Sequence, residues 1–239
     1  MKYFKIILAS FFLSLIVTNT YAAKGAATVF KITMTKLEMC DSTSTDSSCN
    51  NPVTIGTGTS PVIDIASTTA GVSAASYGNL GLGKFGTTYT YFQITMKRAM
   101  TLKGTAVDGA GTTCITAGNG TNRIGGAGAA NGGTPAEVTL YAGIVGTSGL
   151  PLTMNSVDDA EGTGPDAAGV IVDQHDFFQF REKLDTTLTL KAGVIPTVKI
   201  AFGTSLALEA VGNMGNCAQN AAAKVGFIAA EPDISITFE

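Results

Sequence analysis

The stretch Tyr89-Thr-Tyr-Phe-Gln-Ile-Thr-Met-Lys-Arg-Ala-Met-Thr-Leu-Lys103 decides how the chain is read. Phe92, Ile94, Met96, Met100 and Leu102 fall on one face, and Gln93, Thr95, Lys97, Thr101 and Lys103 on the other. The period is two, the repeat of a strand rather than the 3.6 of a helix. The same alternation appears upstream, where Phe30, Ile32 and Met34 stand between Lys31, Thr33 and Thr35. Leu37 and Met39 then take over the apolar phase, a one-residue slip of the kind a β-bulge produces.

Further strands are expected at Val62–Ile65, Ala136–Val145, Gly169–Asp173, Phe177–Arg181, Thr186–Leu190 and Val198–Phe202. Ile234, Ile236 and Phe238 close the sequence in strict alternation. Ser67 to Tyr77 is rich in alanine and serine and reads as a helical turn, and Gly118 to Pro135 as a long flexible loop. Short strands separated by turn residues, with no sustained amphipathic helix, predict an all-β, antiparallel β-sandwich, Ig-like or jelly-roll-like. Long glycine-rich loops and disulfides complete the expectation. Residues 23–239 are read as a single sandwich domain, the alternative being a division near 118–135. A small outer-membrane barrel fits less well: it needs lipid-facing apolar bands with aromatic girdles, and here several apolar faces hold one long strand beside short ones.

Composition narrows the function. Only 14% of the 239 residues are charged, against about 25% in ordinary domains. The net charge is −3 and no basic block occurs, so no nucleic-acid partner is expected. A single histidine, His175, excludes any site that needs two.

The N-terminus carries an address. Lys2 and Lys5 precede the apolar run Ile6 to Val17, and Thr20-Tyr21-Ala22 places small residues where a signal peptidase reads. Residues 1–22 are therefore expected to be a signal peptide, cleaved after Ala22 or Ala23. The run of about twelve residues is short of the roughly twenty needed to span a bilayer. No transmembrane helix is expected after cleavage. The expected location is the periplasm, the cell surface or the exterior.

Cys40, Cys49, Cys114 and Cys217 suit an oxidising compartment and suggest two disulfides. Three pairings are possible. Cys40 and Cys49 flank a polar stretch and would pin a loop at its base, which leaves Cys114 with Cys217. The short bridge would contribute roughly 3 kcal/mol and the long one nearly 5 in the loop-entropy account. No C-x-x-C spacing supports zinc.

Catalytic motifs mostly fail. Gly78-Asn-Leu-Gly-Leu-Gly-Lys84 has the glycine and lysine spacing of a phosphate-binding loop. Phe85 stands where a serine or threonine must hold magnesium, and a strand follows instead of a helix. The segment reads as a glycine turn entering a strand. His175 lies beside Asp173 and Asp176, without a nucleophile elbow. No acid pair stands out for sugar hydrolysis. Asp158, Asp159, Glu161 and Asp166 crowd one glycine-rich loop whose hard oxygens suit calcium, with Asp173 and Asp176 as further ligands. A solvated acidic loop is the plainer reading. Tyr89 and Tyr91 share the face opposite Phe92 and are a candidate aromatic pair for ligand binding, against the alternative of a second packed face.

Three segments in order are Lys31-Ile-Thr-Met-Thr-Lys-Leu-Glu38, Val62-Ile-Asp-Ile-Ala-Ser67 and Gly86-Thr-Thr-Tyr-Thr-Tyr-Phe-Gln-Ile-Thr-Met96. This order resembles a group of secreted bacterial β-sandwich domains of unknown function. There a "T-K-V-E-L" strand precedes a "V-D-L" strand and a "G-T-Y-T-x-I-R-L" strand. The resemblance covers about residues 28 to 104. It implies an envelope or surface location, no known reaction and no functional residue to carry over. The chain departs from the pattern in its cysteines and longer second half.

The expected function is therefore an exported, non-catalytic envelope or surface protein with a structural or binding role and no cofactor beyond possible calcium. Self-association or another envelope protein would supply the partner. The alternatives are a subunit of a surface fibre, completed by a strand from its neighbour through Phe30–Met34 or Ile234–Phe238, and a secreted hydrolase.

Overall fold

The computed structural model describes residues 24–67, 78–118, 128–141, 155–157, 177–194, 196–210, 217, 226–230 and 232–238. The expected signal peptide, the proposed turn at Ser67–Tyr77 beyond its first residue and the strand Gly169–Asp173 lie outside them.

The framework is one antiparallel ribbon, made of two chain segments distant in sequence. The first comprises β2 (Ala27–Ile32) and β3 (Met34–Asp41), preceded by the short β1 (Lys24–Gly25), which pairs elsewhere. The second comprises β6 (Thr88–Lys97) and β7 (Ala99–Val107). Phe30 lies opposite Leu102 in β2–β7, and Leu37 opposite Ile94 in β3–β6. The stretch Tyr89–Lys103, expected as one strand, is thus two. It breaks at Arg98, and its partner breaks at Thr33, where the Lys97 N–H donates to the Thr33 carbonyl at 2.9 Å. Strands that bend in this way join two sheets at a corner. The slip between Met34 and Leu37 is a real register shift, located between Met34 and Lys36.

Each half of the ribbon seeds a sheet. β7 and β2 are joined by β5 (Ile63–Asp64), β8 (Thr113–Thr116), β9 (Ala129–Asn131) and β10 (Val138–Tyr141), with β10 on β7. β6 and β3 are joined by β4 (Val53–Thr57), β11 (Asn155–Val157) and β12 (Phe177–Thr189) in the order β11-β12-β6-β3-β4. β13 (Val198–Gly203) pairs with β16 (Asp233–Phe238). β14 (Leu208–Ala210) lies between β1 and β15 (Phe227–Ala229). The fold is antiparallel, multi-sheet and sandwich-like, as expected. The buried side chains of these sheets merge into one core that includes Phe30, Met39, Phe92, Leu102, Leu140, Leu208, Phe227 and Ile236.

Three expectations need correction. Phe177–Arg181 and Thr186–Leu190 are one strand, β12, with a register shift between Lys183 and Leu188. Gly118–Pro135 is not wholly loop: Ala129–Asn131 pairs with Cys114–Thr116, because the open edge of β8 accepts even a segment without branched side chains. Phe30–Met34 is not a terminal edge for a neighbour's strand, since β2 runs between β5 and β7.

Two local devices hold the first sheet. The Thr116 hydroxyl, fully buried, accepts from the Gly104 N–H at 3.2 Å and donates to the Ala136 carbonyl at 2.7 Å. It thereby joins β7, β8 and the lead into β10. Beside it, β7 and the β1–β2 junction come together so closely that only glycine fits. A methyl group on Gly104 would overlap the Ala26 carbonyl oxygen, and one on Gly25 would overlap that of Thr105.

Disulfides link Cys40 to Cys49 and Cys114 to Cys217, and no cysteine is free. This is the pairing favoured from the sequence, and it suits an oxidising, extracytoplasmic environment.

Two outcomes follow for stability. Gly104→Ala is expected to cost about 1–3 kcal/mol, read as a lower urea midpoint at unchanged slope. Replacing Cys114 and Cys217 together by alanine is expected to cost nearly 5 kcal/mol, as their loop spans 103 residues. The Cys40/Cys49 pair is expected to cost roughly 3.

Candidate functional site

The second face of the five-stranded sheet carries polar chemistry. Because residues alternate along each strand, the face opposite Leu37, Met39, Phe92 and Ile94 presents Glu38, Gln93 and Arg181 in one row. Thr54, Glu38, Gln93 and Arg181 lie directly opposite one another across β4, β3, β6 and β12. Glu38, Gln93, Thr95 and Arg181 are all buried.

Burial of a carboxylate requires partners. Glu38 accepts from Gln93 Nε2 at 2.8 Å and pairs with Lys36 Nζ at 2.7 Å. Burial pushes the Arg181 guanidinium below its usual range, and the Glu38 carboxylate opposes this. Gln93 Oε1 and Thr95 Oγ1, two residues apart on the same face, meet no hydrogen-bond partner among the described residues. The bond from Nε2 to Glu38 fixes the amide, so Oε1 points away as an acceptor.

The loop closed by Cys40–Cys49 folds back over this face. The Tyr91 hydroxyl donates to Asp46 Oδ1 at 2.8 Å, and Arg181 donates to the Asp46 carbonyl at 3.2 Å. Asp41 holds the base of the loop. Its carboxylate accepts from the Thr43 N–H at 2.9 Å, the Thr43 hydroxyl at 2.6 Å and Asn51 Nδ2 at 2.6 Å. These bonds, led by the Thr43 hydroxyl, lower the Asp41 pKa. Burial, with help from the Asp46 bond, raises that of Tyr91.

The aromatic pair must be reassigned. Tyr89 is fully buried in the core, and its hydroxyl accepts from the Lys84 N–H at 2.8 Å. Tyr91 is buried under the disulfide loop. Neither ring is open to stack on a ligand; both belong to packed faces. The glycine segment enters a strand, as expected: Asn79 caps a 3-10 turn at Leu80–Leu82, and β6 follows at Thr88. Asp158, Asp159, Glu161, Asp166, Asp173, His175 and Asp176 lie outside the described residues. Among the described ones, Asp108, Cys114 and Cys217 group closely enough to suggest a metal. The two sulfurs are bonded to each other, and Asp108 Oδ1 accepts from the N–H groups of Ala110 and Thr112. That group is structural.

Sequence reasoning missed Glu38, Arg181 and Asp46. Gln93 and Thr95 were visible as polar positions, but the cross-strand register that sets Glu38 and Arg181 beside Gln93 is not a local property. Comparison with known families, curated proteins and solved structures found no match to this chain.

The chemistry of the face is that of a clamp: opposite charges and hydrogen-bond donors that hold a disulfide-closed loop on a sheet. Tyr91→Phe is expected to cost about 1 kcal/mol and to speed reduction of Cys40–Cys49 by a thiol reagent. The clamp is also expected to have a pH window. Asp41, with its lowered pKa, contributes above the ordinary carboxylate value and loses that contribution only as pH falls below about 4. Tyr91, with its raised pKa, contributes below about pH 10 and loses it as pH climbs through a higher value. Hydrogen exchange at the Thr43 N–H should therefore accelerate, beyond its intrinsic pH dependence, at both extremes.

Proposed function

We propose that the chain is an exported, non-catalytic protein of the cell envelope or surface with a structural or binding role. The observation that carries this reading is the pair of disulfides, one closing a local loop and one joining chain segments 103 residues apart. Such bridges persist where thiols are oxidised. The leader-like residues 1–22 agree with that destination. So does the charge-poor composition, in which threonine and serine replace charges on strand faces.

The polar face under the Cys40–Cys49 loop supports a binding role. The buried Gln93 Oε1 acceptor and the Thr95 hydroxyl, which both donates and accepts, are suited to a ligand or ordered water. Glu38 and Asp46 both have hydrogen-bond partners in the clamp, which argues for positioning rather than proton transfer. A second reading, a fibre subunit, is favoured by one feature. Among the described strands β13 pairs with β16 alone, a two-stranded arrangement of the kind a neighbour's strand would extend.

Cell fractionation with intact-mass analysis tests the proposal. The expected species lacks residues 1–22 or 1–23, lies outside the cytoplasm and is four hydrogens lighter than the reduced chain. A cytoplasmic, fully reduced chain would overturn it. A ladder of multimers in the native mass would move the assignment to the fibre.

A further inference from the structure

The end of the five-stranded sheet where β6 begins and β12 finishes carries an apolar tip that the clamp does not use. Two loops meet there. The first is Gly83–Thr87, with Leu82 at its head. The second is the turn Lys191–Val194, closed by the Val194 N–H on the Lys191 carbonyl at 3.2 Å, with Gly193 at φ 79°. The Gly86 N–H donates to the Leu190 carbonyl at 2.9 Å, so the loops are neighbours. Leu82, Phe85 and Val194 are 58%, 59% and 60% exposed.

This exposure is built in rather than slack. The Lys84 N–H is held by the hydroxyl of fully buried Tyr89. Gly83 is buried against the side-chain ends of Leu190 and Met39. Asn79 caps the turn that leads in, accepting from the Gly81 N–H at 2.9 Å. A loop anchored at three points keeps its apolar side chains in water at a standing cost.

Charge and area choose the partner. Lys84 stands between Leu82 and Phe85, and Lys191 opens the facing turn. Neither Gly78–Thr88 nor Leu190–Val194 contains an acidic residue, in a chain whose net charge is −3. Asp41, which feels the Lys84 charge, directs its own oxygens to Thr43 and Asn51. The three exposed side chains at this end of the sheet together offer on the order of 300 Å² of apolar surface. A stable protein interface needs about 800 Å² per partner. Apolar tips flanked by lysines suit a bilayer interface, where the tips enter the acyl boundary and the ammonium groups stay among anionic headgroups.

The geometry points to peripheral docking of this end on an anionic lipid surface, through Leu82, Phe85 and Val194 with Lys84 and Lys191 beside them. The reading goes beyond export, since purified protein tests it without reference to location.

The test is co-sedimentation of the mature, oxidised protein with vesicles of phosphatidylglycerol and phosphatidylcholine, and with phosphatidylcholine alone. Salt-sensitive binding to the anionic vesicles is expected. Leu82→Ser with Phe85→Ser should lower it about tenfold or more, and Lys84→Gln with Lys191→Gln should remove the anionic preference. Val62→Ser and Leu206→Ser, also at exposed apolar residues, should leave binding unchanged. The chain has no tryptophan, so in Phe85→Trp a single indole reports insertion through quenching by brominated lipid. Circular dichroism of each variant separates lost binding from lost fold. The proposal is overturned by absent binding, by binding indifferent to the Leu82/Phe85 change, or by a dimer in light scattering that Phe85→Ser dissolves.

Discussion

Everything in this molecule hangs on the antiparallel pairing of residues 27–41 with 88–107 through a shared bend. Both segments change sheet together, at Thr33 and Arg98, and the Lys97–Thr33 hydrogen bond keeps them paired where the ladder breaks. If either segment ran straight, one half would lose its partner sheet and one apolar face would meet water. The bend brings a cost of its own, because Arg98 is buried there. A guanidinium out of water needs acceptors. Arg98 Nε donates to the Phe177 carbonyl at 3.1 Å, and that bond sets the start of β12 against the corner. The corner thus positions a third strand as well as the first two.

This explains which parts of the fold were legible. Alternation within Tyr89–Lys103 is local, so strand character was plain, and the phase slip after Met34 marked a real bulge. The break at Arg98 was less visible. By parity Arg98 falls in line with Met96 and Met100, and a charged residue in a core phase was the one signal that the strand turns. The bulge in β12 left no such mark. It depends on how Leu188 and Thr189 meet Tyr89 and Thr88, a register set by distant partners. β9 was illegible for the opposite reason: its sequence has no strand preference, and the edge of β8 supplies the pairing.

The candidate site shows the same limit more sharply. Alternation puts Tyr89, Tyr91, Gln93 and Thr95 on the face opposite Phe92; the structure turns Tyr89 into the core and keeps the other three on that face, which the sequence leaves either open or covered by a second sheet. A disulfide loop whose cysteines stand nine positions apart covers part of it instead. A chain with few charges has placed Glu38 and Arg181 where each is costly, one residue to either side of Gln93 across the sheet. Burying such groups seldom adds net stability over apolar side chains. What it adds is selectivity of register: sliding β3 or β12 by one residue would bring Glu38 or Arg181 to the apolar face, among Met39 and Phe92. The row therefore acts against misregistration of a strand pair whose backbone alone would tolerate it.

Rigidity of the frame then determines where function has room to reside. The long disulfide, the close approach at Gly104 and the Thr116 junction all stiffen the first sheet, and the clamp fastens the Cys40–Cys49 loop to the second. What remains at the far end of β6 and β12 is a pair of loops tied to each other through the Gly86–Leu190 hydrogen bond, from which Leu82, Phe85 and Val194 stand more than half exposed. Loops on a stiff scaffold are where proteins place recognition. Here the anchoring reaches the core itself, since the Tyr89 hydroxyl that fixes Lys84 sits on a ring with no exposed surface. The backbone beside Phe85 is therefore tied, through the Lys84 N–H and the Tyr89 hydroxyl, to a residue of the ribbon on which the whole fold depends.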